Sequence, residues 1–212
     1  MNSELLSKMK RCYEVTVIFL FIQFFSCNEK EAEIFTLFPN NQDSSVGQSK
    51  SYQYEFRDCI ATNFDYPVGK PDADGYYNAL SFTENDHLGD DWNAITGGNS
   101  DLGDPVFAVA NGYVKYAEHN GYGWGNVIRI DHKLSDGMVI ESLYAHCDTM
   151  FVRYGEWVRI GDTIGTIGNA DGIYFAHLHF EIRDDINMPI GGGYSDYIEG
   201  YLDPTEFIDS HR

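Results

Sequence analysis

The sequence predicts a mainly β fold, organised as a single, largely antiparallel β domain with short decorating helices. Between residues 54 and 183, short apolar runs of strand length alternate with glycine-rich turns. No segment of that range combines helical apolar spacing with the residues that begin and end a helix. A composition of 43% hydrophobic and 15% aromatic residues is sufficient to bury a core.

The first 26 residues are similar to the signal peptide of a bacterial lipoprotein. Basic residues precede an uncharged apolar run that is shorter than the ~20 residues of a membrane-spanning helix. The run ends in Phe24-Phe25-Ser26-Cys27, which resembles a lipoprotein cleavage site with Cys27 as the lipidated residue. We therefore expect residues 1–26 to be removed and Cys27 to carry a lipid anchor. Ordinary signal cleavage and an uncleaved anchor are the alternatives.

A polar tether is predicted to follow the signal peptide. Residues 27–53 are rich in Asn, Gln, Ser, Glu and Lys, a composition that buries too little apolar surface to fold. Aromatic residues return after this segment, so residues 54–209 are assigned to the folded domain.

The strands of the domain are marked by the turns between them. Asn111-Gly112 lies between the apolar runs 106–109 and 113–118, and this dipeptide predicts a hairpin because both residues tolerate positive φ. Further strands are predicted at residues 126–131, 138–146, 152–158, 162–167 and 174–183. One helix is predicted at the C-terminus, where Asp203 can cap it and Pro204 can occupy its first position.

The predicted strand at residues 174–183 has two chemically different faces. With the two-residue period of a strand, one face is mostly apolar and suits a core. The other face carries His177, His179, Glu181 and Arg183. Two imidazoles on one side of a strand can converge on one ion or one water. A half-buried strand with a polar outer face is the simpler alternative.

The formal charge of −19, from 33 acidic and 14 basic residues, argues against nucleic acid or anionic lipid as a partner held by long-range attraction. Solubility is sufficient to explain this bulk charge. Recognition of any partner must therefore depend on local contacts.

Two cysteines, Cys59 and Cys147, remain in the mature chain after Cys27. An envelope compartment permits them to form a disulfide. The sequence leaves open both a bridge between them and a pair of buried thiols.

Three histidines are expected to be solvated surface residues. His119 and His132 lie beside predicted turns, and His211 is next to the C-terminus. Tyr144 is in phase with His146 on its strand, so we expect its hydroxyl either to bond toward that histidine or to pack in the core.

The remaining histidines form an ordered set with one carboxylate. The segments are His87-Leu88-Gly89-Asp90-Asp91, Tyr144-Ala145-His146 and His177-Leu178-His179. In this order, and with glycine-containing turns between them, they resemble the lysostaphin/LytM-type zinc endopeptidases of bacterial cell walls. The resemblance covers about residues 66–183 and implies a LytM-like domain of the duplicated hybrid motif type.

The resemblance implies one zinc ion per chain, with His87, Asp91 and His179 as ligands and with His146 and His177 as catalytic histidines. Two neutral imidazoles and one carboxylate leave a zinc ion with an open position for water. Without a His-Glu-x-x-His helix to supply a glutamate, a histidine is the natural acceptor of that water's proton. We favour His177 as the base and His146 as the group that stabilises the oxyanion or protonates the leaving amine. The reverse assignment stays open.

The implied function is zinc-dependent endopeptidase activity on peptide bonds in peptidoglycan stem peptides or cross-links, in the cell envelope or outside the cell. One alternative is a non-catalytic cell-wall binding or hydrolase-activating module of the same fold. Such modules usually lose metal ligands, whereas this chain keeps all the key residues. A second alternative is a non-haem iron site, although that site usually begins His-x-Asp rather than His-x3-Asp. The bond that is cut and the oligomeric state stay open.

Overall fold

The computed structural model describes residues 59–212. The predicted signal peptide, Cys27 and the tether lie outside these residues. Within the described part of the chain, no helix has both the length and the apolar character needed to cross a membrane.

Strands make up most of the regular structure, and we number them in chain order. They are β1 (Ile60–Ala61), β2 (Tyr76–Leu80), β3 (Asp90–Ala94), β4 (Pro105–Phe107), β5 (Gly112–His119), β6 (Asn126–Leu134), β7 (Val139–Cys147), β8 (Trp157–Val158), β9 (Thr163–Thr166), β10 (Leu178–Arg183) and β11 (Tyr201–Leu202). One α-helix, α1 (Pro204–Ser210), and two short helical turns at Gly69–Ala73 and Glu84–Asp86 accompany them.

A 9-stranded sheet contains most of these strands, in the order β2-β3-β10-β7-β6-β5-β8, with β1 beside β6 and β11 beside β10. A 2-stranded sheet joins β4 to β9. Among the described strands, every pair is antiparallel except β1 with β6. The prediction of a mainly β, largely antiparallel fold with short helices is confirmed.

The core lies against one face of the large sheet. Leu178, Phe180 and Ile182 of β10 are fully buried there, as the two-residue period predicts, and Ile208 of α1 packs into the same cluster. The helix begins as predicted, because the Asp203 side chain accepts a hydrogen bond from the backbone N–H of Glu206 at 3.0 Å.

The predicted hairpin at Asn111-Gly112 is wrong. The strand before it, β4, pairs with β9 in the small sheet, and β5 pairs with β6 and β8 in the large one. Gly112 serves a close approach instead of a turn, since an added Cβ would lie 2.5 Å from Cγ2 of Ile130. Asn111-Gly112 therefore lies where the chain passes from the small sheet to the large sheet, and not in a hairpin turn.

His132 is buried, so the prediction of a surface residue is wrong. Its Nδ1–H donates to the carbonyl of Asn111 at 2.9 Å, and its Nε2 lies 2.7 Å from Oγ of Ser142. The Tyr144 hydroxyl lies 3.1 Å from the same Oγ and accepts from the backbone N–H of Val109. Tyr144 therefore belongs to a core network and not to the neighbourhood of His146.

The thiol of Cys147 is free and buried on the core side, so a Cys59–Cys147 bridge is absent from the described residues. Cys59 is buried as well. Cys147 is therefore a buried thiol that packs as a small apolar group.

The buried position of His132 predicts acid sensitivity. Burial lowers the pKa of His132 to about 4, from an ordinary value of 6.5, and the hydrogen bond to Asn111 only partly opposes this shift. The unfolded chain therefore binds a proton that the folded chain excludes, so stability falls as pH drops from about 6.5 to about 4, by about 3 kcal/mol for this group. Urea unfolding at several pH values should show a shallower loss for His132→Gln than for the wild type.

The matched control is His119→Gln, at an exposed histidine, which should keep the wild-type slope. Equal slopes for the wild type and His132→Gln would contradict the assignment of acid sensitivity to this buried ring.

Candidate metal centre

Asp91 and His179 are brought together by strand pairing. Strand β10 lies between β3 and β7, and its register with β3 places His179 directly opposite Asp91. Nδ1 of His179 is 3.0 Å from Oδ1 of Asp91 as a result. Directly opposed residues on neighbouring strands are the closest side-chain pairs that a sheet offers.

His87 joins this pair from the segment before β3. Its Nε2 is 3.0 Å from Nδ1 of His179 and 3.3 Å from Oδ1 of Asp91. The segment lies close against β10, because a Cβ on Gly89 would stand 2.4 Å from the carbonyl oxygen of Phe180. Glycine at this position lets the His87 segment lie on the strand that carries His179.

The three atoms that converge here suit a small cation. Ligands held about 2.0–2.2 Å from a tetrahedral zinc ion lie roughly 3.3 Å from one another, close to the spacing of this cluster. All three side-chain atoms lie within 4.8 Å of one another. Lone pairs that face each other at this distance are favourable only with a shared proton or a cation between them.

Glu181 fixes which nitrogen His179 presents to the cluster. The Nε2–H of His179 donates to Oε1 of Glu181 at 2.8 Å, so Nδ1 carries the lone pair. The Nε–H of Arg183 in turn donates to Oε2 of Glu181 at 2.7 Å. A carboxylate behind a histidine in this way is the arrangement that orients metal-binding imidazoles.

The carboxylates of Asp91 and Glu181 also affect the protonation of His179. Burial alone would lower the pKa of His179, but its hydrogen bonds to Asp91 and Glu181 raise that pKa to about 9. Burial similarly opposes ionisation of Asp91, yet its bonds to His179 and His87 lower the pKa of that carboxyl. A cation must therefore compete with a proton for Nδ1 of His179.

His177 and His146 lie beside the cluster with matching orientations. Nδ1–H of His177 donates to the carbonyl of Phe175 at 2.8 Å, and Nδ1–H of His146 donates to that of Trp124 at 3.2 Å. In the neutral form of each ring, these bonds leave the lone pair on Nε2. Nε2 of His177 is 3.8 Å from Oδ1 of Asp91, and the two ring centroids are 4.7 Å apart.

A bulge turns His146 toward the site. Strict alternation would place it with Tyr144 on the core face, but β7 has an extra residue opposite β6, and His146 has a φ of 62°. Gly168 makes room for this backbone, since a Cβ there would lie 2.2 Å from the carbonyl oxygen of His146. The same bulge places Cys147 on the core face, so its thiol points away from the site.

Burial lowers the pKa of His146 to about 3, and the neighbouring His179 and His177 lower it further. The ring is therefore neutral in this arrangement and its Nε2 is an acceptor.

An open cavity of about 450 Å³ contains all five predicted site residues. Two glycine-containing segments form its walls, one with Tyr122 and Trp124 and the other with Gly193 and Tyr194. Nε1–H of Trp124 donates to the carbonyl of Gly191 at 3.1 Å and so links the two walls. Neither wall was identified from the sequence, in which the only signal was the clustering of glycine with aromatic residues.

A buried ion network continues from Glu181 into the second wall. Arg183 donates to the carbonyls of Pro189 and Ile190, at 3.0 and 2.7 Å, and both charged side chains are fully buried. Arg129 bridges Glu141 and the carbonyl of Met188 at 2.8 Å each. The charges that support His179 therefore also hold the segment that precedes Gly193 and Tyr194.

The role of Glu181 predicts an effect on metal affinity. Glu181→Gln keeps an oxygen for Nε2–H of His179 but removes the charge, so zinc should bind about 10-fold more weakly to the folded protein. Competition with a chromophoric chelator measures this affinity. Glu118→Gln, at an exposed glutamate that does not line the cavity, is the matched control. Unchanged affinity in the Glu181 variant would contradict the proposed orientation of His179.

Comparison with known proteins gives one family and several relatives. The family model described as peptidase family M23 matches residues 89–190. "Lipoprotein NlpD" of Yersinia enterocolitica is 47% identical over 81 residues, which are 38% of this chain and 78% of that protein. "Murein hydrolase activator NlpD" of Escherichia coli (strain K12) is 41% identical over 96 residues, 42% of this chain, and the chain spans only 24% of it.

A solved structure shares the fold. It is titled a putative peptidase M23 from Pseudomonas aeruginosa, with a TM-score of 0.50, 21% identity, and coverage of 73% of this chain and 53% of that one. At this identity the likeness concerns the fold alone.

Proposed function

This chain belongs to peptidase family M23, and on that premise we propose that it is a zinc-dependent endopeptidase that hydrolyses peptide bonds in peptidoglycan stem peptides or cross-links. The resemblance to lysostaphin/LytM-type peptidases that the motifs indicated is confirmed by this membership. One observation carries the proposed activity. Two imidazoles and one carboxylate converge in an open cavity, directly beside two further histidines whose Nε2 atoms are acceptors.

His87, Asp91 and His179 would hold the zinc ion, through Nε2, Oδ1 and Nδ1 respectively. Zinc bound by three such ligands lowers the pKa of a bound water and polarises a carbonyl oxygen. Glu181 holds the Nε2 side of the His179 ring, so Nδ1 is the nitrogen that faces the cluster and binds the ion once its proton is displaced.

His177 is proposed as the general base. Its Nδ1–H is held by the carbonyl of Phe175, so Nε2 faces the ligand cluster as a proton acceptor. His146 is assigned to the oxyanion or the leaving amine, the role that remains for the second histidine beside the cluster.

The second candidate function is activation of another cell-wall hydrolase by binding. A relative that is 41% identical over 96 residues is named a murein hydrolase activator, which favours this candidate. Binding alone gives no physical reason for a three-ligand cluster with two aligned imidazoles, so hydrolysis is the preferred proposal.

The proposed location is the cell envelope, with the membrane reached only through a lipid on Cys27 and with peptidoglycan peptides as the partner. A relative that is 47% identical is named a lipoprotein, which supports the anchor. The wild type should incorporate a labelled fatty acid in growing cells and Cys27→Ser should not, because the proposed lipid is attached through the cysteine thiol. A Cys27→Ser protein that still carries label would contradict the anchor.

The roles of the histidines predict separable losses. His179→Ala should lose zinc and hydrolysis together, since two ligands seldom hold catalytic zinc. His177→Ala and His146→Ala should keep zinc and the fold while hydrolysis slows by roughly 100-fold or more. Zinc content is measured by elemental analysis, and hydrolysis by mass spectrometry of a muropeptide digest.

In that digest we expect the wild type to remove cross-linked dimers and to leave glycan chains intact. His119→Gln, at an exposed histidine outside the cavity, is the control and should behave as the wild type. Cut glycan strands would show a different reaction class. Absence of cleavage by a zinc-loaded wild type that stimulates a partner hydrolase would favour the activator. Stoichiometric iron in place of zinc would contradict the proposed zinc endopeptidase.

A further inference from the structure

A second cavity adjoins the candidate site on the far side of Tyr174 and His177, and we propose that it is the subsite for an uncharged stretch of the substrate peptide. This inference rests on the proposed peptidase function and specifies the class of peptide that the site accepts. The occupant is a peptide segment whose backbone carbonyls accept hydrogen bonds and whose side-chain carboxyl groups are absent or amidated.

The two cavities are continuous in their lining. The second has a volume of about 600 Å³ and shares Tyr174 and His177 with the first. A peptide bond held at the ligand cluster therefore has one flank beside His177 and Tyr174, and the next residues of that flank reach the second cavity. Clefts that bind peptides extend to either side of the scissile bond in this manner.

Two asparagine amides supply the polar groups of this cavity. Oδ1 of Asn99 accepts from the backbone N–H of Ala176 at 2.7 Å, and Oδ1 of Asn169 accepts from that of Gly172 at 2.8 Å. These bonds fix the orientation of each amide and leave its NH2 group as the unused half. Within residues 59–212, neither NH2 group donates a hydrogen bond, so both are available to peptide carbonyls.

The lining of the second cavity does not favour an anionic occupant. It contains no lysine, arginine, aspartate or glutamate. Asp171, next to the lining residue Gly172, is exposed and adds negative charge. A carboxylate would thus lose its hydration and gain no cationic partner in the second cavity.

An aromatic wall completes the subsite. Phe175 lines the second cavity with 72% of its surface exposed, and Tyr174 separates the two cavities. Exposed aromatic rings beside fixed amide donors suit the alternating apolar and polar groups of a neutral peptide. The segment that carries both rings is fixed at one end by Asn169, whose backbone carbonyl accepts from Ile173 and Tyr174.

The decisive substitution is Asn169→Asp. Aspartate keeps an oxygen for the backbone N–H of Gly172, so the turn is retained, but an anionic oxygen replaces the NH2 donor. With zinc-loaded protein and two synthetic stem peptides that differ only in whether one carboxyl group is amidated or free, the wild type should show a kcat/KM at least about 10-fold higher for the amidated peptide. Asn169→Asp should raise KM for that peptide about 10-fold with kcat within about 2-fold.

Asn63→Asp is the matched control, because it adds the same charge at an exposed asparagine that lines neither cavity. It should keep the wild-type constants for both peptides. A wild type that prefers the free carboxylate, or an Asn169→Asp variant with unchanged KM, would overturn the proposed subsite while leaving the hydrolytic function in place.

A binding measurement separates the two proposals if neither peptide is cut. The side-chain amide NMR signals of Asn99 and Asn169 in the full-length protein should shift on addition of the amidated peptide and change less with the carboxylate form. Shifts without hydrolysis would support the subsite and contradict the peptidase proposal. An absence of shifts at saturating peptide would overturn the subsite.

Discussion

The pairing of β10 with a neighbour on each side is the constraint on which the candidate site depends. It places His179 opposite Asp91 on β3 and opposite Ala145 on β7, so the last residues of β7 end beside the ligand cluster. A slip of one residue in this register would move His179 to the core face and expose Leu178 on the other side. The apolar residues that set the register of β10 in the core therefore also set the geometry of the cluster. The alternation of side chains along β10 therefore determines both the packing of the core and the positions of the site residues.

Burial of the charged side chains on the polar face of β10 costs free energy, and the protein offsets this cost by pairing opposite charges. Glu181 and Arg183 are fully buried and bond to each other, and each also bonds onward, to His179 and to the carbonyls of Pro189 and Ile190. Burial raises the pKa of Glu141 in the same network, while Lys115 and Arg129 oppose that shift. Buried charges are tolerated only with partners of this kind, and removal of one member leaves the others unpaired. The network thus connects the support of a predicted ligand to the support of a cavity wall.

The local sequence pattern correctly predicted the parts of the site that depend on one strand alone. It did not predict the parts that depend on how distant strands pair. The alternation predicted for residues 174–183 correctly separated a core face from a face of histidines from Ala176 onward, and Asp203 correctly marked the helix start. Tyr174, which the same alternation assigned to the core, is exposed and lines the cavity. The orientation of His146 could not be predicted, because its positive φ arises from a bulge that forms only when β6 and β7 pair. The hairpin predicted at Asn111-Gly112 was wrong for a similar reason. Glycine is needed at position 112 because Ile130, a residue distant in sequence, packs close against its backbone. His132 was predicted to be exposed because it lies beside a turn in the sequence. It is buried because residues distant in sequence pack around it.

The backbone of the segment before β10 links the proposed base, His177, to the second cavity. The carbonyl of Phe175 accepts from Nδ1–H of His177 and so orients the proposed base, while the N–H of the next residue, Ala176, is held by Asn99. Asn99 also lines the second cavity, so a ligand that contacts this asparagine contacts the group that fixes the backbone beside His177. Occupancy of the subsite would then restrict motion of the very carbonyl that sets the tautomer of the base. Binding energy from a part of the peptide remote from the scissile bond could in this way be used to order the reacting groups, which is how remote contacts raise kcat as well as affinity.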